Sequence, residues 1–410
     1  GSTLKGKDDV TLVAKKDVRI RQSDIGSEKG NVLIGSQQGD IQVEAGREEE
    51  QLASASKSVS RGRFGLSKTT EIRRHEHDIA QSVSSNIDGK TVNLIAGQGN
   101  VTVQGSNVVG ENGLTVQAKN IDIKEAENKV YSEDFHSKKK SGVLGGGGLG
   151  VTFGAQKQTL ESDKTKFYAQ GSQVGSLNGN TTLIAKNHYS QTASQVSAVN
   201  GDVNILAKNV DIKAADDKYE TNTKQTFEQK GVTLAVTSPI LSALQAVQGT
   251  VKSVERVGQS KNDRVNAMAA ANSAMDAYRA GQAVGQAGKA MQEAMENGNM
   301  DSVVGAQITY GQQKSESRTH TEGKTAAKSQ VNAGGKVNIV ATGAGKASNI
   351  TIQGSDVSGK QGTFLEADND INITAAEQTH KERSTNKSSG FNAGVAIKVS
   401  NGVAAGITVG

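Results

Sequence analysis

Four short stretches decide the fold: VNLIA at 92–96, VTVQG at 101–105, LTVQA at 114–118 and IDIKE at 121–125. In each stretch apolar and polar side chains alternate, which is the period of a half-buried β-strand. Corresponding strands return after about 20 residues, and the glycines and asparagines between them supply tight turns. A coil of this length that repeats in tandem predicts strands stacked in parallel as a β-solenoid.

The same unit recurs along the chain with a longer period. Its leading strand reads VTLVA from Val10, VNLIA from Val92, TTLIA from Thr181 and VNIVA from Val337. The first two intervals are roughly 85 residues and the third is longer by roughly 70, which predicts an inserted block in the third unit. A β-sandwich fits less well, because its strands do not come with a self-similar turn at every coil.

After its second coil, each unit loosens into a polar stretch with a glycine-rich centre. In the second unit this stretch runs from Tyr131 to the glycines at 145–148 and returns through 154–156. In the third unit the outgoing arm includes 231–236 and the returning arm 305–310. Strand-like arms around glycines predict a long β-hairpin that leaves the solenoid and re-enters it.

The inserted block differs in composition from the rest of the chain. It contains the only proline, Pro239, and all five methionines, and its apolar residues have helical spacing. We therefore predict an α-helical insertion at a hairpin tip over 237–304. It separates β-helix repeats with hairpins at 1–236 from a continuation of the β-helix at 305–410. The last hairpin is cut short, so we expect the chain to be part of a longer protein.

Composition limits the kind of core that the chain can bury. Of 410 residues, 34% are hydrophobic, only 3% are aromatic and 48 are glycine. Such a chain suits a thin core of stacked aliphatic side chains better than a large globular core. The absence of cysteine excludes disulfides and thiolate chemistry. The shortage of aromatic residues disfavours nucleic acid as a partner, because its bases stack on aromatic rings.

Candidate catalytic and metal-binding motifs fail on spacing. His75-Glu76-His77 could place two ligands on one face of a strand, but no third ligand follows nearby. Gly89-Lys90-Thr91 resembles the end of a phosphate-binding loop, but Ser84 stands where the first glycine of that loop is required. We therefore predict a chain that is not an enzyme and binds no metal or cofactor.

Basic residues concentrate in the predicted hairpins, and the chain carries a net charge of +5. These residues could contact the phosphates of lipopolysaccharide or acidic glycans. The plainer interpretation is a solvated face on which lysines discourage strand pairing between molecules. The candidate anion-contact residues are Arg61, Arg63, Arg73, Arg74, Lys138, Lys139 and Lys140.

Two hairpin segments, 142–153 and 390–409, alternate apolar residues with small or polar ones. This alternation is typical of strands that face lipid on one side, and it equally describes hairpins that pack on the flank of the solenoid. Strands shorter than about nine residues are marginal for spanning a bilayer. The candidate membrane-contact residues are Val143, Leu144, Leu149, Val151, Phe153, Phe391, Val395 and Ile397.

Two longer segments carry a family resemblance: NGLTVQAKNIDIKEA at 112–126 and NGDVNILAKNVDIKAA at 200–215. A G-S-x-V turn begins at Gly105, and a Ser/Lys-rich hairpin with a glycine-rich tip follows the coils. The pattern resembles the haemagglutinin repeats of large two-partner-secretion exoproteins of Gram-negative bacteria, similar to filamentous haemagglutinin and the contact-dependent growth inhibition effectors. The resemblance implies a secreted right-handed parallel β-helix at the bacterial surface, exported through an outer-membrane transporter.

The resemblance also implies a role. In growth inhibition effectors, the second repeat region lies nearer the toxin end and engages the outer membrane of the target cell to help the C-terminal toxin across. We expect this segment to do the same through its hairpins. The alternative is an adhesin stalk that binds host glycans or cell surfaces through its basic hairpin residues. A polysaccharide lyase or hydrolase rests on fold analogy alone.

Overall fold

The computed structural model describes residues 1–62, 65–144, 150–237, 305–398 and 404–409. This part of the chain is mainly β-strand, with a 3-10 turn at Gly345–Ala347. The predicted all-β class is therefore confirmed. The predicted helical insertion lies, beyond Thr237, outside the described residues.

Eight coils stack in parallel to form the predicted β-helix, each with strands on three faces. Strands are numbered along the chain. The first face consists of β1 (Thr3–Gly6), β4 (Asp24–Ser27), β9 (Asn86–Gly89), β12 (Asn107–Gly110), β16 (Gln173–Ser176), β18 (Gln195–Ala198), β23 (Gln330–Ala333) and β26 (Asp356–Gly359). The second face consists of β2 (Val10–Ala14), β5 (Val32–Ser36), β10 (Val92–Ala96), β13 (Leu114–Lys124), β17 (Thr181–Thr192), β19 (Val203–Ala207), β24 (Val337–Ala341) and β27 (Thr363–Ala367).

The third face continues from the second, because β13 and β17 are long enough to run through both. Its other strands are β3 (Val18–Arg21), β6 (Ile41–Glu44), β11 (Val101–Gln104), β20 (Asn209–Lys213), β25 (Ile350–Gln353) and β28 (Ile371–Thr374). The second and third faces thus form one 14-stranded parallel sheet.

Aliphatic ladders run through the stack because the apolar positions of successive coils are in register. On the second face the ladder is Leu12, Ile34, Leu94, Val116, Leu183, Ile205, Ile339 and Leu365. The members from Ile34 to Ile339 are at most 1% exposed. Neighbours along a ladder are separated by the strand spacing of about 4.8 Å, so each side chain is enclosed from above and below.

One coil replaces two ladder positions on the third face with polar residues, Tyr189 and Gln191, which are fully buried. The Tyr189 hydroxyl donates to Gln191 Oε1 at 2.9 Å, and Gln191 Nε2 donates to the carbonyls of Ser194 and Gln330 at 2.7 and 3.0 Å. Because these groups satisfy one another, the core accepts them. Burial raises the pKa of the Tyr189 hydroxyl.

A ladder of serine side chains runs along the corner that precedes the first face. The backbone N–H of Ser85 donates to Ser106 Oγ at 3.2 Å, Ser106 N–H to Ser172 Oγ at 3.2 Å, and Ser172 N–H to Ser194 Oγ at 3.0 Å. Ser23 and Ser329 extend the ladder at its two ends. The ladder explains the serine of the G-S-x-V turn, since its hydroxyl satisfies a buried amide of the preceding coil.

After every second coil the chain leaves the β-helix as a hairpin, as predicted, and the hairpins then pair with one another. They form one antiparallel sheet, here called the hairpin sheet, in the order β7 (Gly46–Arg61), β8 (Ser67–Val83), β14 (Ala126–Val143), β15 (Gly150–Gln170), β21 (Ala215–Thr237), β22 (Gly305–Ala327), β29 (Thr379–Lys398) and β30 (Ala404–Val409). Among described residues, the extended contacts of these strands are with one another rather than with the coils.

The hairpin sheet is anchored to the β-helix at its base. Asn128 Oδ1 accepts from the Ser82 N–H at 2.6 Å, and Gln170 Nε2 donates to Ser84 Oγ at 2.9 Å. Ser84 lies in the short connection between hairpin and coil. The base of the sheet is therefore tied to the coils by side-chain hydrogen bonds.

Candidate functional site on the hairpin sheet

A row of glycines crosses the hairpin sheet near its far end. Gly142, Gly154, Gly231 and Gly311 are cross-strand partners on four successive strands. A Cβ placed on Gly154 would lie 2.1 Å from the Lys230 carbonyl oxygen, so no other residue fits there without moving the backbone. The row divides the sheet into a polar base and a tip with a different character.

Beyond the glycine row, two apolar rows lie on one face of the sheet. The first consists of Phe153, Val232 and Tyr310, and the second of Val151, Leu234, Ile308 and Val395. Phe391 joins them from just before the row, with its ring 5.9 Å from that of Tyr310. We call these eight residues the apolar tip face. Each of them is between 41% and 53% exposed.

The opposite face of the tip is polar. Thr152, Thr233 and Thr309 form the row between the two apolar rows, and the Oγ1 atoms of Thr152 and Thr233 lie 2.9 Å apart. These threonines and two of the row glycines line a groove of about 540 Å³. Alternate side chains of a strand point to opposite faces, so the tip has one apolar and one hydroxyl-lined face.

The apolar tip face is exposed for a different reason than the apolar residues of the last coil. In β28 of the last coil, Ile371 and Ile373 are 44% and 68% exposed because no described coil covers their ladder. The apolar tip face instead spans β15, β21, β22 and β29, each of which has a neighbouring strand on both sides. A contiguous apolar patch on paired strands indicates a binding surface.

The predicted membrane-contact residues are only partly brought together. Val151, Phe153, Phe391 and Val395 lie in the apolar tip face, on strands that are not neighbours. Val143 is half-buried and lies directly opposite Phe153, at the end of the first apolar row, and Leu144 is half-buried as well. Leu149 lies outside the described residues, and Ile397 lies in β29, opposite Ala306.

Four residues that the sequence interpretation omitted join the two parts: Val232 and Leu234 on β21, and Ile308 and Tyr310 on β22. The alternation in these strands predicts hairpin arms, but it does not predict which arms lie side by side. The missing information was the side-by-side pairing of hairpins, which places the third hairpin between the second and the fourth. The alternation in 231–236 and 305–310 was the available signal.

The predicted anion-contact residues do not form one site. Arg73 Nη2 lies 2.5 Å from Glu71 Oε1, a contact that together with His136 lowers the pKa of Glu71. The Arg74 guanidinium lies over the Phe135 ring at 5.3 Å. Lys140 Nζ donates to the Leu144 carbonyl at 3.3 Å.

The other predicted cations are differently placed. Arg61, Lys138 and Lys139 are exposed and have no ion-pair partner among the described residues, whereas Arg63 lies outside them. Lys138 and Lys139 are consecutive residues of β14, so they point to opposite faces of the sheet. Lys139 shares a face with the apolar tip face, and so does Arg61, which is in register with Lys68 and Ser141.

The histidine motif of the first hairpin forms local pairs. His75 Nδ1 lies 2.7 Å from Asp134 Oδ1, and the His75 and His77 rings stack with centroids 6.0 Å apart. The described part of the chain contains no group of three or more His, Cys, Asp or Glu placed to hold a metal ion. It also contains no helix with the length and hydropathy of a membrane span.

Comparison with known proteins gives one family. The hemagglutinin repeat model matches residues 1–73, 66–231 and 308–410. Among similar proteins, the tRNA nuclease CdiA of Escherichia coli strain NC101 is 31% identical over 81% of this chain and 10% of its own length. The 16S rRNA endonuclease CdiA of Enterobacter cloacae is 32% identical over 87% of this chain and 11% of its own.

The tRNA nuclease CdiA-2 of Burkholderia pseudomallei is 27% identical over 92% of this chain and 12% of its own length. The chain therefore spans about a tenth of the curated relatives that it matches. No solved structure matches it significantly. The repeat architecture and these matches together show that the chain belongs to the haemagglutinin-repeat family, as a repeat region of a secreted exoprotein of the Gram-negative cell surface, of the filamentous haemagglutinin and contact-dependent growth inhibition type.

Proposed function

We propose that this segment is a non-catalytic delivery element that engages the outer membrane of a target cell through the tip of its hairpin sheet. The parent exoprotein would leave its own cell through an outer-membrane transporter. The relatives are named as nucleases, and the segment would help such a C-terminal toxin reach the target. The β-helix serves as the rigid support that carries the sheet.

The observation that carries this proposal is the apolar tip face. Its eight side chains come from three hairpins and are exposed on paired, central strands. Exposed apolar area of this kind is unfavourable in water, at about 25 cal/mol per Å², and is covered when it meets lipid. The hydroxyl row on the reverse side suits contact with water or with polar groups.

The length of the tip supports insertion into a single leaflet. From Gly231 to Thr237, β21 extends past the glycine row by about 20 Å, at 3.4 Å per residue. The hydrocarbon of one leaflet is about 15 Å thick, and that of a whole bilayer about 30 Å. The described tip therefore reaches through one leaflet and is too short to span the membrane.

The adhesin alternative has less support, because two of the arginines on which it depends have internal partners. Arg73 is bonded to Glu71, and Arg74 lies on Phe135. A polyanionic glycan would first have to compete with these contacts. Retention on heparin that is lost when Lys138, Lys139 and Lys140 are changed to alanine would nevertheless favour the adhesin.

Flotation with vesicles of outer-membrane lipid tests the proposal. One variant carries Phe153→Ser, Val232→Ser, Leu234→Ser and Tyr310→Ser. The matched control carries four equally exposed apolar residues outside the tip: Leu52→Ser, Leu160→Ser, Leu177→Ser and Val199→Ser. We expect the tip variant to bind about 1,000-fold more weakly than the unchanged chain, since each of the four apolar side chains contributes about 1 kcal/mol on burial.

The control variant should float like the unchanged chain. Equal loss in both variants would mean that hydrophobicity in general, rather than the tip, drives association. Absence of flotation by the unchanged chain would overturn the proposal. In the full-length parent protein, full toxin delivery after deletion of 142–153 and 390–409 would overturn it as well.

A further inference from the structure

Below the apolar tip face, the same face of the hairpin sheet carries a shallow cavity lined by lysines. Its volume is about 340 Å³. Lys139, Lys157, Lys230 and Lys314 line it, with Glu228 as its only carboxylate. These residues come from four strands, β14, β15, β21 and β22, so the cavity exists only because the hairpins pair side by side.

The charges of this cavity are not balanced. Glu228 Oε1 lies 3.3 Å from Lys314 Nζ, so the one carboxylate is already paired. Lys139, Lys157 and Lys230 have no ion-pair partner among the described residues. Glu228 is also directly opposite Lys157 on the neighbouring strand. Four lysines therefore share one carboxylate, and the cavity keeps an excess of positive charge.

Two of these lysines are placed against each other at an energetic cost. Lys139 and Lys157 are directly opposite on neighbouring antiparallel strands. Like charges at directly opposite positions destabilise a sheet. Ala155 lies opposite Lys230, and its small side chain leaves room between the lysines. An anionic ligand in this open space would relieve the repulsion between the lysine ammonium groups.

We infer that this cavity binds the phosphate of an anionic membrane lipid. Lysine offers three N–H donors and a compact charge, which suits a phosphate approached from several strands at once. This assignment rests on the proposed membrane engagement, because it names the ligand that the same face would meet at the membrane surface.

The position of the lysines along the strands agrees with this ligand. Lys230 precedes Val232 by two residues and Lys157 follows Phe153 by four, which places their Cα atoms about 7 and 14 Å from the apolar rows. The headgroup layer begins where the hydrocarbon ends and is about 5–8 Å thick on each side. Long lysine side chains reach across such distances to the interface. When the apolar rows are in the leaflet, the ammonium groups lie at the level of the phosphates.

The test compares binding to neutral phosphatidylcholine vesicles with binding to vesicles that also contain phosphatidylglycerol or lipid A. The variant is Lys139→Gln, Lys157→Gln and Lys230→Gln. The matched control removes three exposed lysines elsewhere, Lys119→Gln, Lys164→Gln and Lys218→Gln, and so has the same net charge. A lysine near an anionic surface strengthens binding about fivefold, so the cavity variant should lose roughly 100-fold on anionic vesicles.

The cavity variant should bind neutral vesicles as the unchanged chain does, and the control should keep most of the anionic preference. Raising the salt concentration should reduce the difference between the two vesicle types. Inorganic phosphate at millimolar concentration should compete if the cavity takes any phosphate, and should not compete if it needs the membrane-held group. Competition supports phosphate itself as the ligand, and lack of competition restricts the ligand to the headgroup as the membrane presents it.

Three results with the variants would overturn the inference. The first is a cavity variant that keeps the anionic preference, and the second is a control variant that loses as much. The third is loss of heparin binding, without loss of lipid binding, in the cavity variant, which would assign the cavity to a sulfated glycan. If the unchanged chain binds neutral vesicles and shows no preference for anionic ones, this inference alone fails and the proposed function stands. Anionic binding that does not depend on the apolar tip face would remove the proposed function and keep the cavity.

Discussion

The coils and the hairpin sheet are built from strands with the same alternation of apolar and polar residues, yet they use it differently. In the coils, the apolar side chains of three faces meet inside a closed cylinder, and Leu94, Leu183 and Ile205 are inaccessible to solvent. In the hairpin sheet, equivalent side chains such as Leu234 are half exposed, because the sheet is a single layer. Alternation therefore specifies a strand with two unlike faces, and the surrounding strands decide what each face meets.

The difference also separates stability from function. Coil residues gain free energy from burial and close packing, at about 2–5 kcal/mol for a large aliphatic side chain. Hairpin strands depend on backbone pairing and on cross-strand side-chain pairs, each of about 0.2–1 kcal/mol. The coils can therefore carry the stability of the molecule, while the tip of the sheet can keep apolar residues exposed for a partner.

The same truncation placed in the two regions should give the largest contrast. Leu183→Ala removes a fully buried ladder residue from β17, and we expect a loss of about 3 kcal/mol in the free energy of unfolding. Leu234→Ala removes a residue that is 51% exposed, and the expected loss is less than about 0.5 kcal/mol. Denaturant unfolding monitored by circular dichroism measures both. Equal losses would mean that the tip is covered in solution.

A substitution in the glycine row should open the pairing of the hairpin sheet and leave the stability of the coils unchanged. In Gly154→Ala the new Cβ would lie 2.1 Å from the Lys230 carbonyl oxygen, so the pairing of β15 with β21 must open. We expect amides around this pair to exchange about tenfold or more faster, corresponding to roughly 1.4 kcal/mol or more. Gly311→Ala is the matched control, because its nearest contact would be 3.4 Å. Faster exchange in the coil strands of either variant would contradict the independence of the two regions.

A serine of the buried ladder should contribute more to the free energy of unfolding than an exposed serine. Ser172→Ala removes the acceptor for the Ser106 N–H and a donor to the Lys124 carbonyl at 2.8 Å, all inside the corner of the coils. Leaving a buried amide unpaired costs about 1–2 kcal/mol. Ser58→Ala, at an exposed position of β7, should change the unfolding free energy by less than about 0.5 kcal/mol. A loss no greater than that in Ser172→Ala would show that the ladder amides find other partners.

The coils could be predicted almost completely from the sequence, and the candidate site only in part. Repeats such as VNLIA from Val92 and VNIVA from Val337 predict the ladders. When similar coils stack in register, their apolar positions lie above one another and form the core. The exceptions Tyr189 and Gln191 could not be foreseen, since their acceptance depends on hydrogen bonds between coils. The apolar tip face and the lysine cavity depend on pairing between hairpins that are far apart in the chain, for which local alternation contains no information.

Acid should weaken one ion pair of the coils in a defined range of pH. Hydrogen bonds from His188 and Lys213 lower the pKa of Asp211 to about 2, despite its partial burial. A lowered pKa in the folded state adds stability above the unfolded value of about 4, and that stability is lost as the pH falls towards 2. A pKa lowered from about 4 to about 2 corresponds to roughly 2.5 kcal/mol. Because the His188 and Lys213 side chains are 43% and 44% exposed, solvent screening reduces the expected contribution at neutral pH to about 1 kcal/mol, and it is absent in Asp211→Asn. Unfolding curves between pH 7 and pH 2 that are parallel for both proteins would contradict it.

The smallest effect is expected where the two regions join, at Glu125 between β13 and β14. Burial raises the pKa of this carboxyl, and its Oε2 is buried without a hydrogen-bond partner among the described residues. A raised pKa reverses the sign: the charged form costs stability above the folded pKa, and the cost disappears as the pH falls below the unfolded value. Glu125→Gln should therefore raise the unfolding free energy at neutral pH by a few tenths of a kcal/mol to about 1 kcal/mol, and should make no difference near pH 4. If the variant is less stable at neutral pH, the carboxylate has a stabilising partner at the junction, and the hairpin sheet is held to the coils more firmly than the hydrogen bonds at its base indicate.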